Sequence, residues 1–188
     1  MSRIQVFARR FTIGLAVLTA GLFLWMSYYH IAYLTPASGG VPAPDMAPLG
    51  YDLTTLQAWL NAMDESEREE FIARHTLTYD LIFPFLLAWT LYRALDLILN
   101  RFERFQRQSG SVKALTLLTL VLPYLAFDML ENFQVLQFLS GRAELDQASA
   151  SLLASYTVLK YASVVFTFSV LAAFSLALIT RGQSQPKP

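Results

Sequence analysis

Residues 115–139 read LTLLTLVLPYLAFDMLENFQVLQFL. A helix crosses the roughly 30 Å hydrocarbon core of a bilayer with about 20 mainly apolar residues. This run is long and oily enough to do so. It nevertheless carries Asp128, Glu131 and Asn132. Positions i, i+3 and i+4 share one face of a helix, so the three form a single polar stripe. Inside a bilayer such a stripe turns away from lipid and toward other helices. The stretch therefore predicts both a membrane span and partner helices to cover its polar face.

Composition agrees. The chain has 188 residues, of which 55% are hydrophobic and only 15% charged, with mean hydropathy +0.41. Soluble domains carry roughly a quarter charged residues. Cysteine is absent, which excludes disulfides, thiolate metal sites and cysteine nucleophiles. A formal net charge of zero gives no reason to expect a nucleic-acid partner.

Four runs are long enough to span: about 11–34, 77–98, 113–139 and 150–180. The expected fold is all-α, an integral membrane four-helix bundle forming one membrane domain over 1–188. An outer loop, 35–76, carries one or two short helices. Arg9 and Arg10 ahead of an apolar run suggest a signal peptide. That run is longer than a usual signal core, has aromatics near its far end and is followed by no clear A-x-A site. It is read as a retained anchor.

Lysine and arginine set orientation. Arg3, Arg9, Arg10, Arg93, Arg101, Arg104, Arg107, Lys113, Arg181 and Lys187 fall on one side, ten in all. Arg68, Arg74 and Arg142 fall on the other, and Lys160 lies within a span. The expectation is a multi-pass protein of the inner (plasma) membrane with both termini cytoplasmic.

In the loop, TPASGGVPAPDMAPLG (35–50) reads as an irregular linker rich in proline and glycine. Asp52 is placed to cap a short helix with Leu53, Leu56, Trp59, Leu60 and Met63 toward one face, lying on the membrane surface or on the bundle. Ser66 and Glu69 offer a capping box for a second helix that runs on into span two. The acidic run from Asp64 to Glu70 reads as a solvated face.

The polar residues inside the spans define the candidate site. Span two has Asp80 and Pro84, span three Asp128, Glu131 and Asn132, span four Lys160 flanked by Tyr156 and Tyr161, and span one ends with Tyr28, Tyr29, His30 and Tyr33. At about 1.5 Å per residue these fall near one depth, toward the outer face. They predict one polar chamber lined by all four helices. Lys160 is the only lysine or arginine there; Asp128 is the simplest partner and Glu131 the next. Asp128, Glu131 and Lys160 are the candidates for chemistry. Asp80, Asn132, Tyr156, Tyr161 and His30 are the candidates for holding a ligand.

Plainer readings stand beside these. Lys160 can snorkel to the interface, and the acids and amide can simply join helices. Asp80 can be hydrated, Pro84 and Pro123 can be kinks, and the tyrosines can form an interfacial belt. A metal held by Asp128, Glu131, Asp80 and His30 is not expected. The chain has no H-E-x-x-H, no E-x-x-H and no histidine cluster, and His75 falls in the outer loop. No G-x-S-x-G, phosphate-loop or dinucleotide fingerprint occurs, so no cofactor is expected.

Thr78-Tyr79-Asp80-Leu81-Ile82-Phe83-Pro84 nearly follows T-x-x-D-x-x-F-P, Asp128, Glu131 and Asn132 form D-x-x-E-N, and Lys160 stands in a later span. Over about residues 50–165 this set resembles a group of small four-span bacterial membrane proteins of unknown function. The resemblance implies that the polar set travels together, and it implies no activity. Sterol-isomerase and sigma-2-receptor-like bundles are similar in placing intramembrane acids around a lipid pocket, a likeness of fold alone.

Two functions follow as expectations. In the first, the polar site binds or acts on a lipid-like molecule, with membrane lipid or a small hydrophobic ligand as partner. In the second, the protein is a structural or accessory subunit whose polar residues fix helix packing. A transporter fits less well, because no internal repeat is visible. The sequence names no reaction.

Overall fold

The computed structural model describes residues 3–35, 38–41 and 43–183, without the side chains of 4, 5, 30, 31 and 181–183. Helix α1 (Arg3–Tyr29) ends in a π-helical stretch, His30–Leu34, and the loop holds a 3-10 turn, Pro44–Met46. Then come α2 (Leu53–Ala62), α3 (Glu65–Glu70), a π-helical stretch Phe71–Tyr79, α4 (Asp80–Leu99), α5 (Glu103–Gln106), α6 (Gly110–Leu139) and α7 (Gln147–Gln183). No strand occurs among the described residues.

Four segments are long and apolar enough to cross a membrane: Val6–Leu34, Glu65–Leu99, Gly110–Leu139 and Gln147–Thr180, with hydropathies of 1.6 to 2.3. The protein is an all-α, multi-pass membrane bundle. Large apolar side chains such as Val17, Leu24, Phe85, Leu115 and Phe166 point outward. That is the arrangement a lipid environment favours, because lipid tails are as apolar as the side chains they meet.

The second span begins well before residue 77, because α3, the π-helical stretch and α4 are continuous. Asp52 caps α2 by accepting from the Thr55 N–H at 2.8 Å. The capping box of α3 is formed by Asp64 and Glu67, not by Ser66 and Glu69. The chain turns into helix two residues earlier than the Ser66 reading requires, since Asp64 also satisfies the free N–H groups of the first turn. Trp59 is 2% exposed and stacks edge-on against Phe71 with ring centroids 5.3 Å apart. Helix α2 thus lies on the bundle, and Trp59 is a core residue.

Helices α6 and α7 pack along each other, α4 packs against both, and α1 packs chiefly on α4. Thr19 and Thr90 join α1 to α4, with hydroxyl oxygens 2.7 Å apart. The α6–α7 turn uses Gly141 at φ +66°, which glycine adopts without steric penalty. Asp146 and Ser149 then cap α7 reciprocally. The Ser149 backbone and hydroxyl bonds hold the Asp146 carboxyl below its usual range.

Two apolar clusters fill the interior. One, at the loop end, gathers Leu56, Trp59, Phe71, Val135, Phe138 and Leu153 among others. The second gathers Ala88, Leu91, Leu95, Leu99, Leu117 and Val121. Along α6 the polar stripe of Asp128 and Glu131 falls between Val121 and Val135, hence between the clusters.

Candidate functional site

The centre of the polar layer is a three-residue ion cluster. Glu131 is fully buried. Its Oε2 accepts from the Lys160 ammonium and its Oε1 from the Thr157 hydroxyl. Lys160 Nζ also lies 3.3 Å from Asp128 Oδ1 and 5.3 Å from the centre of the Tyr161 ring. One ammonium from α7 therefore bridges two carboxylates three residues apart on α6. The structure reverses the expected preference for Asp128, because Thr157, three residues before Lys160 on the same face of α7, draws Glu131 toward it. Lys160 is 8% exposed, so its head group is held inside rather than led out to an interface.

A second group is joined to the first through Asn132. Its side-chain amide donates to Asp128 Oδ2 at 3.3 Å and to the Asp80 backbone carbonyl at 3.1 Å. The second bond has a clear local cause. Pro84 has no N–H to give to the carbonyl four residues back, which is that of Asp80. Asn132 supplies the missing donor. Another bond between spans joins the Thr167 hydroxyl to the Leu120 carbonyl at 2.6 Å.

The Asp80 carboxylate is partly buried and paired. Its Oδ2 lies 2.9 Å from His75 Nε2, and Asp45 Oδ2 lies 3.5 Å from the same nitrogen. His75 is 1% exposed, which corrects its assignment to the outside. The π-helical stretch explains why the sequence conceals this pair. On an α-helix, residues five apart point about 140° away from each other. A π-helix bonds i to i+5 and stacks them. Here the Asp80 N–H donates to the His75 carbonyl, and the Thr78 hydroxyl reaches the Ala73 carbonyl at 2.8 Å, five residues back.

Asp45 reaches this layer because the proline- and glycine-rich loop folds back onto the bundle. Pro44 and Ala43 are buried, and the Tyr161 hydroxyl donates to the Asp45 carbonyl at 2.6 Å. Among the described residues, this loop lines the layer together with the second, third and fourth spans; the His30 side chain, expected here from the first span, lies outside the described residues. The crevice among Pro44, Asp45, Phe71, His75, Asp80, Glu131, Asn132 and Val135 has a volume of about 10 Å³, the scale of one water molecule.

Of the other expected ligand residues, Tyr161 is in place and Tyr156 is half-buried on α7, outside the hydrogen bonds of the network. Tyr51, Thr157, Asp45 and His75 are the participants that sequence reasoning passed over. The Tyr51 hydroxyl lies 3.2 Å from Thr157 Oγ1, and burial pushes the Tyr51 phenol above its usual range. Tyr51 also lines a groove of about 450 Å³, with Leu49, Gly50, Ala154, Ser155, Val158 and Leu159. Gly50 has φ +87°, and a Cβ there would stand 3.3 Å from Val158 Cγ2, so the close approach of loop to helix depends on glycine.

The chain was compared with protein-family models, curated proteins and solved structures, and nothing among them matches it.

Proposed function

We propose that the protein binds a lipid-like molecule in the inner (plasma) membrane, with the acyl part in the groove between residues 49–51 and α7. The polar part is read by the Tyr51–Thr157–Glu131–Lys160 chain. The observation that carries this reading is the position of Tyr51. It lines the groove and is one hydrogen bond from Thr157, which in turn donates to buried Glu131. The groove measures about 450 Å³ and lies open on the outside of the bundle. Its apolar wall includes Val158 and Leu159, both exposed on the outside of α7. What reaches such a wall in a bilayer is an acyl chain. The ten-to-three distribution of lysine and arginine supports cytoplasmic termini. In that orientation the groove opens to the outer leaflet.

A second reading rests on a different observation. The polar layer is closely packed, with space on the scale of one water. This favours a structural or accessory role in which the ions fix helix pairing. One experiment separates the two. The protein is purified in mild detergent and examined by native mass spectrometry for retained lipid, alongside Ala154→Trp, which fills the groove, and Glu131→Gln. Lipid-like binding expects a retained lipid that Ala154→Trp removes at normal folded yield, and that is weakened in the folded fraction of Glu131→Gln, whose yield falls because a buried ion pair is broken. Absence of retained lipid, or retention unchanged in Ala154→Trp, leaves the structural role.

A further inference from the structure

Asp45, His75 and Asp80 bring together three donor atoms that the Lys160 cluster does not use. His75 Nε2 stands 2.9 Å from Asp80 Oδ2 and 3.5 Å from Asp45 Oδ2, and all three donors lie within 4.8 Å of one another. Ligands about 2.1 Å from a transition metal are separated by about 3.0 Å at octahedral and about 3.4 Å at tetrahedral angles. The spacing of imidazole to carboxylates brackets these values. The donors come from separate elements, the 3-10 turn, the π-helical stretch and the start of α4. The π register places His75 and Asp80 on one face, and the Tyr161 bond to the Asp45 carbonyl holds the loop against it. The three donors themselves line, with Glu131 and Asn132, a crevice of about 10 Å³, the scale of a single small occupant.

From this convergence of Asp45, His75 and Asp80 we infer a binding site for a first-row divalent transition metal at the loop end of the bundle. One imidazole nitrogen with two carboxylate oxygens suits zinc, manganese or ferrous iron better than magnesium or calcium, which favour oxygen-only shells. The site is separate from the lipid groove and does not depend on lipid binding. Its residues tie the loop to the second span, so the metal would lock the loop onto the bundle.

The test uses the full-length protein purified in detergent, stripped with a chelator and offered Zn²⁺ or Mn²⁺ alone. Metal retained after desalting is measured by mass spectrometry of the element, and thermal unfolding is followed in parallel. Wild type is expected to retain about one ion per chain and to unfold at a higher temperature, and Asp45→Asn to lose affinity about tenfold or more. Asp45 lies in the loop with 22% of its side chain exposed, so the substitution leaves the packed helices intact. Should it fail to fold, His75→Gln, read by the same retention, decides. Retention of neither ion by wild type, or equal retention by wild type and variant, overturns the site.

Discussion

The Asn132 side chain donates to the Asp80 backbone carbonyl across 3.1 Å, replacing the helical N–H that Pro84 lacks. This bond ties the turn before Pro84 in the second span to the polar stripe of the third. Asn132→Leu leaves the carbonyl without that donor and is expected to cost about 1–2 kcal/mol. In a Pro84→Ala background the backbone regains its own donor, so the same substitution should cost clearly less. Unfolding of the four variants in mixed micelles measures the coupling. Equal losses in both backgrounds would show that Asn132 does not serve the proline.

Lys160→Met removes the ammonium that faces Glu131 and Asp128. Breaking one partner of a buried ion pair typically costs about 3–5 kcal/mol, whereas removing both partners is far milder. Adding Glu131→Gln should therefore recover part of the loss. Folded yield and unfolding midpoint of the single and double variants provide the measurement. Losses that simply add would mean that the two groups are energetically independent.

Gly50→Ala places a side chain on a residue at φ +87° with its Cβ 3.3 Å from Val158 Cγ2. The left-handed conformation alone costs about 1–2 kcal/mol for a non-glycine residue. Val158→Ala relieves the contact but not the dihedral, so rescue should be partial. Complete rescue would locate the strain in the contact, and the absence of any loss would mean that the loop readily changes shape.

Topology is open to direct labelling, because the chain contains no cysteine. Ser66 and Ser109 are exposed at opposite ends of the bundle. Ser66→Cys should react with an impermeant thiol reagent on intact cells, and Ser109→Cys should react only after lysis. The reverse pattern would invert the orientation. Ser38 makes a poor reporter despite its position in the loop, since it is 1% exposed.

The spans, the all-α class and the polar stripe were legible from residues 115–139 and their neighbours, because length and the helical period act locally. Lys160 was identifiable as the counter-charge, because a charged group at membrane depth must be matched nearby. The acidic stripe alone could not rank its two carboxylates. That choice depended on Thr157, whose importance appears only when α7 is set beside α6. His75 and Asp45 were hidden for two physical reasons. The π-helical register aligns residues five apart, contrary to the α-helical period by which a sequence is read. The proline- and glycine-rich loop has no period at all, so its return to the bundle is decided by what it meets there: the Tyr161 hydroxyl, the His75 imidazole and the flank of α7 at Gly50. The sequence by itself determined that Asp128, Glu131 and Lys160 stand inside apolar spans and must be matched there. Tertiary packing decided which of them touch, because contact between distant segments depends on helix register and loop path rather than on composition.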